Sequence, residues 1–223
     1  MPSNVHYSRV TDLPETLPLF PLPGALLLPR GLIPLNIFEP RYLDMIDFAL
    51  AGNRLIGMVQ PDPSVAAITG PTALYEVGCA GRITQFTETG DGRVLIQLTG
   101  IARFHIRHEG PASHSFRQAD VDFRPFESDL EPRRGEDLVD RESVLRALRA
   151  FAEANQIEID WKNVGDAANE ALVNALSMMA PFGVPEKQAL LEARDLRARA
   201  DMLVALTEID LAREGGDGSP RMQ

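Results

Sequence analysis

The sequence predicts an α+β protein in which an N-terminal barrel of short strands, with one inserted helix, is followed by a C-terminal helical bundle. Up to residue 125, short apolar runs are interrupted by proline, glycine and turn dipeptides, a pattern typical of strands. From residue 126 the chain is rich in alanine, leucine, glutamate and arginine at helical spacing. The polar segment 127–137 suits a connector. We therefore expect a barrel over 1–125, a helical bundle over 126–214 and a disordered tail over 215–223.

The predicted strands are apolar runs bounded by turn residues. We expect the run 17–20 to be an edge or irregular strand, because Pro18 and Pro21 cannot donate ladder hydrogen bonds. Asp91-Gly92 predicts a hairpin turn, since this pair tolerates the positive φ of a tight turn. The other predicted strands are 32–38, 55–59, 75–87, 93–98, 101–108 and 115–123. Many short strands with few helices favour a small closed or half-closed barrel.

One helix is predicted between these strands, and three or four more in the second half. Pro40 suits the first helical position, where no amide hydrogen is needed, and Gly52 is placed to end that helix at C′. Apolar spacing then predicts helices over 136–154, over 166–179, from 185 onward and over 195–213. Asp166 and Asp195 are the expected N-caps of the second and the fourth.

Composition argues against several classes of function. The formal net charge of −10, of which −8 falls on residues 126–223, disfavours nucleic acid or an anionic membrane as main partner. The single cysteine cannot form an internal disulfide or a thiolate metal cage. Neither Lys162 nor Lys187 follows a glycine, so neither belongs to a phosphate-binding Walker loop. The sequence shows no membrane-spanning run and no signal peptide, so we expect a cytoplasmic protein without a cofactor.

Two stretches resemble the N-terminal substrate-recognition domain of Lon-type proteases. Residues 17–50 (LPLFPLPGALLLPRGLIPLNIFEPRYLDMIDFAL) are similar to its opening, an LPLFPL strand followed by a P-L-x-I-F-E-P-R-Y junction of strand and helix. Residues 77–104 (VGCAGRITQFTETGDGRVLIQLTGIARF) are similar to its second part, with V-G-x-x-x-x-I, a D-G-R hairpin and L-x-G-x-x-R-F. The helical half, at 175–182 and 187–192, resembles the family's helical extension.

The resemblance implies a PUA-like β-barrel followed by a helical bundle that binds polypeptide without cleaving it. Full-length Lon also carries an ATPase module and a serine–lysine protease module, so this sequence resembles the stand-alone members of the family. The implied function is a non-catalytic module that recognises unfolded or extended polypeptide, as an adaptor or holdase. The alternative is an assembly or regulatory protein whose acidic helical half binds one folded partner, such as a Lon-family protease. A hydrolase is disfavoured, because the sequence shows no set of nucleophile, base and orienting group.

The candidate polypeptide-binding residues lie in the first resembling stretch. They are Leu26, Leu27, Phe38, Glu39, Arg41, Tyr42 and Asp44. Glu39 and Arg41 either cap the helix and bridge it to the barrel, or line the polar edge of a peptide groove. Leu26 and Leu27 either close the bottom of the barrel or stay exposed as a platform for an extended chain.

The histidines and the cysteine favour structural roles. His105, His108 and His114 have a spacing that suggests a metal site, but side chains three apart on a strand point to opposite faces. Cys79 lies in an apolar strand, which favours a buried thiol. We therefore expect no metal site.

Two further pairs of residues favour structural roles. Arg103 and Phe104 alternate along a strand, so we expect Phe104 in the barrel and Arg103 outside it or in an ion pair. Ser177 and Lys187 are separated by the break at 181–185, so they do not predict a serine–lysine dyad.

Overall fold

A computed structural model describes residues 5–65, 72–111 and 113–216, without the side chains of the last three. By its internal contacts the chain divides into two compact units. The first comprises Met1–Pro132 with Phe182–Leu191, and the second comprises Arg133–Pro181 with Glu192–Gln223. The predicted α+β class is confirmed. The division falls after Pro132, beyond the boundary expected at residue 125, and the segment 182–191 returns to the first unit.

Among the described residues of the first unit, six strands form one sheet. They are β1 (Thr16–Pro21), β2 (Leu32–Ile37), β3 (Leu55–Val59), β4 (Val77–Glu88), β5 (Val94–Glu109) and β6 (Arg117–Asp122). Their order is β2-β5-β4-β3-β1-β6, and β5 also pairs with β6. The pairings of β5, β4, β3, β1 and β6 therefore close into a ring, and β2 lies outside it. The relation of this ring to PUA-like folds stays a prediction.

Apolar side chains from this ring pack into one buried cluster. Leu17 and Leu19 of β1, Leu55 of β3 and Phe104 of β5 are all 0% exposed within it. Burial of apolar side chains contributes roughly 25 cal/mol per Å² of area removed from water. Burial of this cluster therefore stabilises the first unit.

Of the two expectations for 17–20, an edge or an irregular strand, the edge is wrong. β1 pairs with β6 over Thr16–Leu19 and with β3 over Leu19–Pro21, so it lies inside the sheet. The two partners overlap only at Leu19. Pro18 pairs only with β6, and Pro21 pairs only with β3. A proline nitrogen that points to the unpaired side of the strand removes no hydrogen bond from the ladder.

The predicted hairpin is confirmed between β4 and β5. Gly90 and Gly92 adopt φ of 81° and 84°, as a tight turn requires. The predicted strands 93–98 and 101–108 are one continuous strand, β5. Its register against β4 shifts by one residue between Ala102 and Gly100, so a bulge at Ile101 lets the strand continue.

Six α-helices complete the described part of the fold. They are α1 (Pro40–Ala51), α2 (Arg141–Ala154), α3 (Trp161–Asp166), α4 (Asn169–Met179), α5 (Val184–Glu192) and α6 (Leu196–Gly216). Short 3₁₀ turns lie at Val10–Asp12, Arg124–Leu130 and Glu136–Leu138. None of the described helices is both long and apolar enough to cross a bilayer.

The helix boundaries confirm some predictions and correct others. α1 begins at Pro40 as predicted, but Gly52 is its C-cap with a φ of −103°, and Arg54 is the residue in the left-handed region. Asp166 ends α3 and does not cap α4, whose N-cap is Ala168. Asp195 accepts a hydrogen bond from the amide of Ala198 at 2.7 Å, as expected of the cap of α6. That helix extends through 215 and 216 of the expected tail, and 217–223 lie outside the described residues.

The segment 182–191 is fastened to the first unit by buried polar contacts. Gln60 Nε2 donates to Gln188 Oε1 at 3.2 Å and to the carbonyl of Val184 at 3.3 Å. Gln188 Nε2 donates in turn to the carbonyl of Val77 at 3.1 Å. Lys187 Nζ donates to the carbonyl of Gly24 at 2.8 Å, and burial lowers the pKa of this ammonium group. These contacts make α5 part of the first unit.

Candidate functional site

The junction between β2 and α1 presents predicted site residues at the surface. β2 ends at the buried Ile37, and the next side chain, Phe38, is 63% exposed. Glu39 occupies the N-cap position of α1 in an extended conformation, and Pro40 starts the helix. The Glu39 carboxylate makes no capping hydrogen bond. Its role is therefore different from that of a side-chain cap.

Glu39 and Tyr42 position the Arg41 guanidinium. Arg41 Nε and Nη2 both donate to Glu39 Oε2, at 2.9 and 2.8 Å. The guanidinium carbon lies 4.4 Å from the centroid of the Tyr42 ring. The Arg41 and Glu39 side chains are 54% and 43% exposed, a situation in which an ion pair contributes about 1 kcal/mol or less to stability. Arg41 is thus oriented by its neighbours while it faces solvent.

Tyr42 supports this surface from below. Its residue is only 8% exposed, and its ring packs edge-on against Phe20 with centroids 4.6 Å apart. Burial raises the pKa of the phenol, so Tyr42 is neutral at physiological pH. Its contribution to a site is to hold Arg41 by stacking.

Asp44 belongs to a second patch on the same helix. It accepts a hydrogen bond from Ser115 Oγ at 2.6 Å. Beside it, His114 stacks on Phe116 with centroids 5.0 Å apart, and Phe48 lies 5.2 Å from His114. Sequence reasoning missed this aromatic cluster. Phe48 follows Asp44 by one helical turn, a spacing that places both on one face of α1. His114 and Phe116 are distant in sequence, so no local pattern predicts that they pack against Phe48.

Leu26 and Leu27 are not exposed, which corrects the expectation of a platform. Each is 2% exposed, and Leu28 is 0% exposed. The backbone just after them is tied to β5, since the amide of Arg30 donates to the carbonyl of Gly100 at 2.8 Å. This pairing draws the three leucines into the core, so they stabilise the fold and present no surface to a ligand.

The second resembling stretch is structural. A Cβ at Gly78 would lie 2.6 Å from the carbonyl oxygen of Met58, and one at Gly100 would lie 2.0 Å from that of Leu28. Only glycine allows such close approach of two backbones. Phe104 is fully buried, and Arg103 is 2% exposed in an ion pair, as predicted. This part of the pattern therefore specifies packing.

The other reactive side chains have structural surroundings. His105 Nε2 lies 3.2 Å from Glu76 Oε2, and the Cys79 thiol is buried as predicted. Ser177 on α4 is 0% exposed. In the described part of the chain, no group of three or more histidine, cysteine, aspartate or glutamate side chains is arranged to hold a metal ion.

A cavity of about 660 Å³ lies in the first unit, between residues 10–15 and the end of β6. Side-chain hydrogen bonds from Arg124 and Arg107 hold the pKa of Asp122 well below its usual range. The carboxylates of Glu15 and Asp120 also line this cavity. Because Asp122 already binds both guanidinium groups, the cavity has the charge balance of an ion-pair network and not of an anion site.

Comparison with known proteins identifies the family. Residues 16–208 match the model of the ATP-dependent protease La (LON) substrate-binding domain. The chain is 25% identical over 204 residues to the Lon protease of Dictyoglomus thermophilum, and 30% identical over 111 residues to Lon protease 2 of Bdellovibrio bacteriovorus. These matches cover 86% and 50% of this chain but 24% and 14% of those proteins. The chain thus spans about a quarter or less of the length of these relatives.

Two solved structures share the fold. A Lon N-terminal domain protein from Xanthomonas campestris covers 85% of this chain and 97% of its own length, with a TM-score of 0.60 and 23% identity. The N-terminal domain of the Mycobacterium avium complex Lon protease covers 86% of this chain and 98% of its own length, with a TM-score of 0.63 and 16% identity. What matches in each case is the N-terminal region of Lon. Because the family model spans most of the sequence, this chain belongs to the LON substrate-binding domain family.

Proposed function

We propose that this chain is a non-catalytic polypeptide-recognition module that binds exposed apolar or extended protein segments. The match of residues 16–208 to a substrate-binding domain carries the proposal. The surface we assign to it is that of Phe38, Glu39 and Arg41, with Asp44 on the neighbouring patch of α1. An exposed aromatic ring beside an oriented guanidinium offers apolar contact and hydrogen bonding to the same segment, a combination that is enriched in protein interfaces.

In this proposal the module acts as an adaptor or holdase in the cytoplasm, without a cofactor. The surface combines one exposed aromatic side chain with an exposed ion pair. A surface with so few anchoring groups is better suited to weak binding of many unfolded proteins than to tight binding of a single partner. The module would therefore hold a protein segment without altering it covalently.

A fluorescence anisotropy titration tests the proposal. A labelled, permanently unfolded protein is mixed with this chain up to tens of micromolar, with and without ATP. Saturable binding that is insensitive to ATP is expected, and Phe38→Ala should weaken it. Arg197→Ala, in an exposed ion pair of the second unit, is the control. Absence of binding by the wild-type chain would refute the proposal.

A second candidate function is binding of one folded partner, such as a Lon-family protease. The net charge of −8 on residues 126–223 favours it, because such a surface steers a basic partner. This role predicts a stoichiometric complex that weakens as salt is raised, without affinity for unfolded protein. Cross-linking in cell extract followed by titration of the captured partner distinguishes the two.

The absence of catalysis is tested separately. The chain is incubated at high concentration with fluorogenic peptide substrates, without added partners. A flat progress curve is expected, and turnover that rises in proportion to the amount of chain would contradict a purely binding role.

A further inference from the structure

Beside the candidate surface, three strands form an uncharged groove. β2 pairs with residues 94–99 of β5, and these pair with the second half of β4. The register places Asn36, Leu95 and Thr87 in one row and Pro34, Gln97 and Gln85 in the next. These six side chains line a groove of about 400 Å³. None of them is charged, although charged residues make up 24% of the chain.

The outer edge of β2 has no partner strand within the described residues. β2 itself carries no charged side chain, so it lacks the lysine or other charge that usually guards a sheet edge. Leu32 at its start is 56% exposed, and Leu95 on the neighbouring strand is 47% exposed. The edge therefore offers both unpaired backbone groups and apolar contact.

The hydrogen-bond pattern fixes which backbone groups face outward. The amide of Gly100 donates to the carbonyl of Gly31 at 2.9 Å, so Gly31 faces β5. In an antiparallel ladder, residues alternate between facing the partner and facing away. Leu32, Pro34 and Asn36 therefore direct their backbone groups to the open side. Pro34 fits this alternation, because a proline within a paired strand has no amide hydrogen to give to its partner.

We propose that an extended, uncharged segment of a client polypeptide adds to β2 as a further strand and places alternate side chains over the groove. The inference rests on the proposed function and names its substrate class and its mode of binding. Main-chain hydrogen bonds to Leu32, Pro34 and Asn36 would supply affinity that is independent of sequence. The Asn36 amide lies on the strand next to the added one and can bond a polar side chain, while a long side chain can reach Leu95 and Gln97 across β2.

The groove selects against charge. A charged side chain placed in it would lose water and find no opposite charge among the groove side chains. Binding should therefore be nearly independent of salt, unlike docking driven by the acidic helical half. β2 also leads directly to the exposed Phe38, so one extended segment can reach both surfaces.

A client segment suits this edge better than a second copy of the chain. Two β2 strands paired antiparallel about Pro34 would place the two prolines opposite each other and lose both central hydrogen bonds. A client segment loses only one, because it can supply its own amide to the Pro34 carbonyl. Pro34 therefore weakens self-pairing more than it weakens capture of another chain.

The first arm of the test uses a blocked, labelled peptide of alternating threonine and valine, titrated by fluorescence anisotropy. Methylation of every amide nitrogen should abolish binding, because neither edge of the peptide can then donate to the carbonyls of β2. Methylation of every second amide nitrogen leaves one edge free and should weaken binding less. A fully methylated peptide that binds as tightly as the unmodified one would overturn the inference.

The second arm uses variants of the chain. Asn36→Pro removes an outward amide without touching the ladder to β5, and Pro34 shows that this side of the strand tolerates proline. We expect about tenfold weaker peptide binding, as for the loss of about one hydrogen bond and some strand order. Leu95→Glu should weaken binding at least as much, whereas Arg197→Ala, in the second unit, should bind as wild type does. An unchanged melting temperature shows that each variant folds.

The unfolded protein separates the two levels of the proposal. If it binds the wild type and both variants equally, recognition stands and the edge inference is wrong. If it binds the wild type and loses affinity in both variants, the edge is the site. If the wild type binds neither the peptide nor the unfolded protein, the proposed function fails and this inference with it. A wild type that dimerises through β2 without binding the peptide would assign the edge to a second copy.

Discussion

Arg103 binds both carboxylate oxygens of Asp129 through one edge of its guanidinium, in the interior of the first unit. Nε and Nη2 each donate to the carboxylate at 2.8 Å, and the Arg103 amide donates to it at 3.0 Å. Nη1 donates to the carbonyl of Leu191 at 2.9 Å, and the guanidinium carbon lies 4.5 Å from the Phe126 ring centroid. Arg103 therefore joins β5, the 3₁₀ segment 124–130 and α5 through one buried side chain.

Breaking this pair should destabilise the fold strongly. In Asp129→Ala the Arg103 charge stays 98% buried without its carboxylate, which for buried pairs costs about 3–5 kcal/mol. Urea denaturation followed by circular dichroism measures the loss. Arg93→Ala, which breaks an ion pair whose side chains are 54% and 58% exposed, is the control and should cost about 1 kcal/mol or less. Similar losses in the two variants would contradict the assignment of Arg103 as a buried tie.

Alanine substitutions of Arg41 and Tyr42 should have different effects on binding and on stability, although the two side chains are in contact. Arg41→Ala removes a half-exposed side chain and should lower affinity for unfolded protein while changing the free energy of unfolding by about 1 kcal/mol or less. Tyr42→Ala removes a buried ring that packs on Phe20 and should cost about 3 kcal/mol or more. Thermal unfolding and anisotropy, measured on both variants, check the contrast. Loss of the thermal transition in Arg41→Ala would make that residue structural.

Gly100 should be far less replaceable than Gly110. An alanine Cβ at Gly100 would lie 2.0 Å from the Leu28 carbonyl oxygen, so the loop that carries the buried leucines would have to move. At Gly110 the nearest atom is 3.8 Å away, in ordinary contact. We expect Gly100→Ala to lower the melting temperature sharply or prevent folding, and Gly110→Ala to resemble the wild type. A stable Gly100→Ala chain would disprove the close approach.

Asp122 should make the free energy of unfolding depend on pH in the acidic range. Hydrogen bonds from Arg124 and Arg107 lower its pKa in the folded state, whereas an unfolded aspartate titrates near about 3.9. The stabilisation is therefore fully present above pH of about 4 and is lost as pH falls below it. Unfolding free energies between about pH 6 and pH 3 should fall more steeply for wild type than for Asp122→Asn. Parallel curves would show that Asp122 does not contribute.

A fragment that ends at Pro132 should not fold cooperatively. It lacks the segment 182–191, in which Leu190 is 0% and Leu191 is 3% exposed, and it removes the carbonyl bonded by Arg103. Adding that segment through a flexible linker should restore a cooperative thermal transition, measured by circular dichroism. A sharp transition in the shorter fragment would mean that the ring of strands folds independently of α5.

Local signals in the sequence determined the secondary structure well. Proline at position 40 and the Asp91-Gly92 pair act through their own φ angles, so the start of α1 and the hairpin follow from a few neighbouring residues. The alternation along β5 also reports which side chains face the core: Ile96 and Leu98 are buried, while Leu95 is exposed. The same local pattern identified Phe38, Glu39 and Arg41 as a junction between strand and helix.

Only the tertiary structure shows which strands pair, which loops are buried and which segments belong together. Pairing partners are set by residues far apart in sequence, so only the fold shows that β1 is central, that Leu26 and Leu27 are buried and that 182–191 belongs to the first unit. The Arg103 pair, the aromatic cluster at Phe48 and the open edge of β2 likewise arise from packing of distant segments. The periodicity of apolar residues indicates that one face of an element is buried. Which other element packs against that face depends on the free energy of the whole fold.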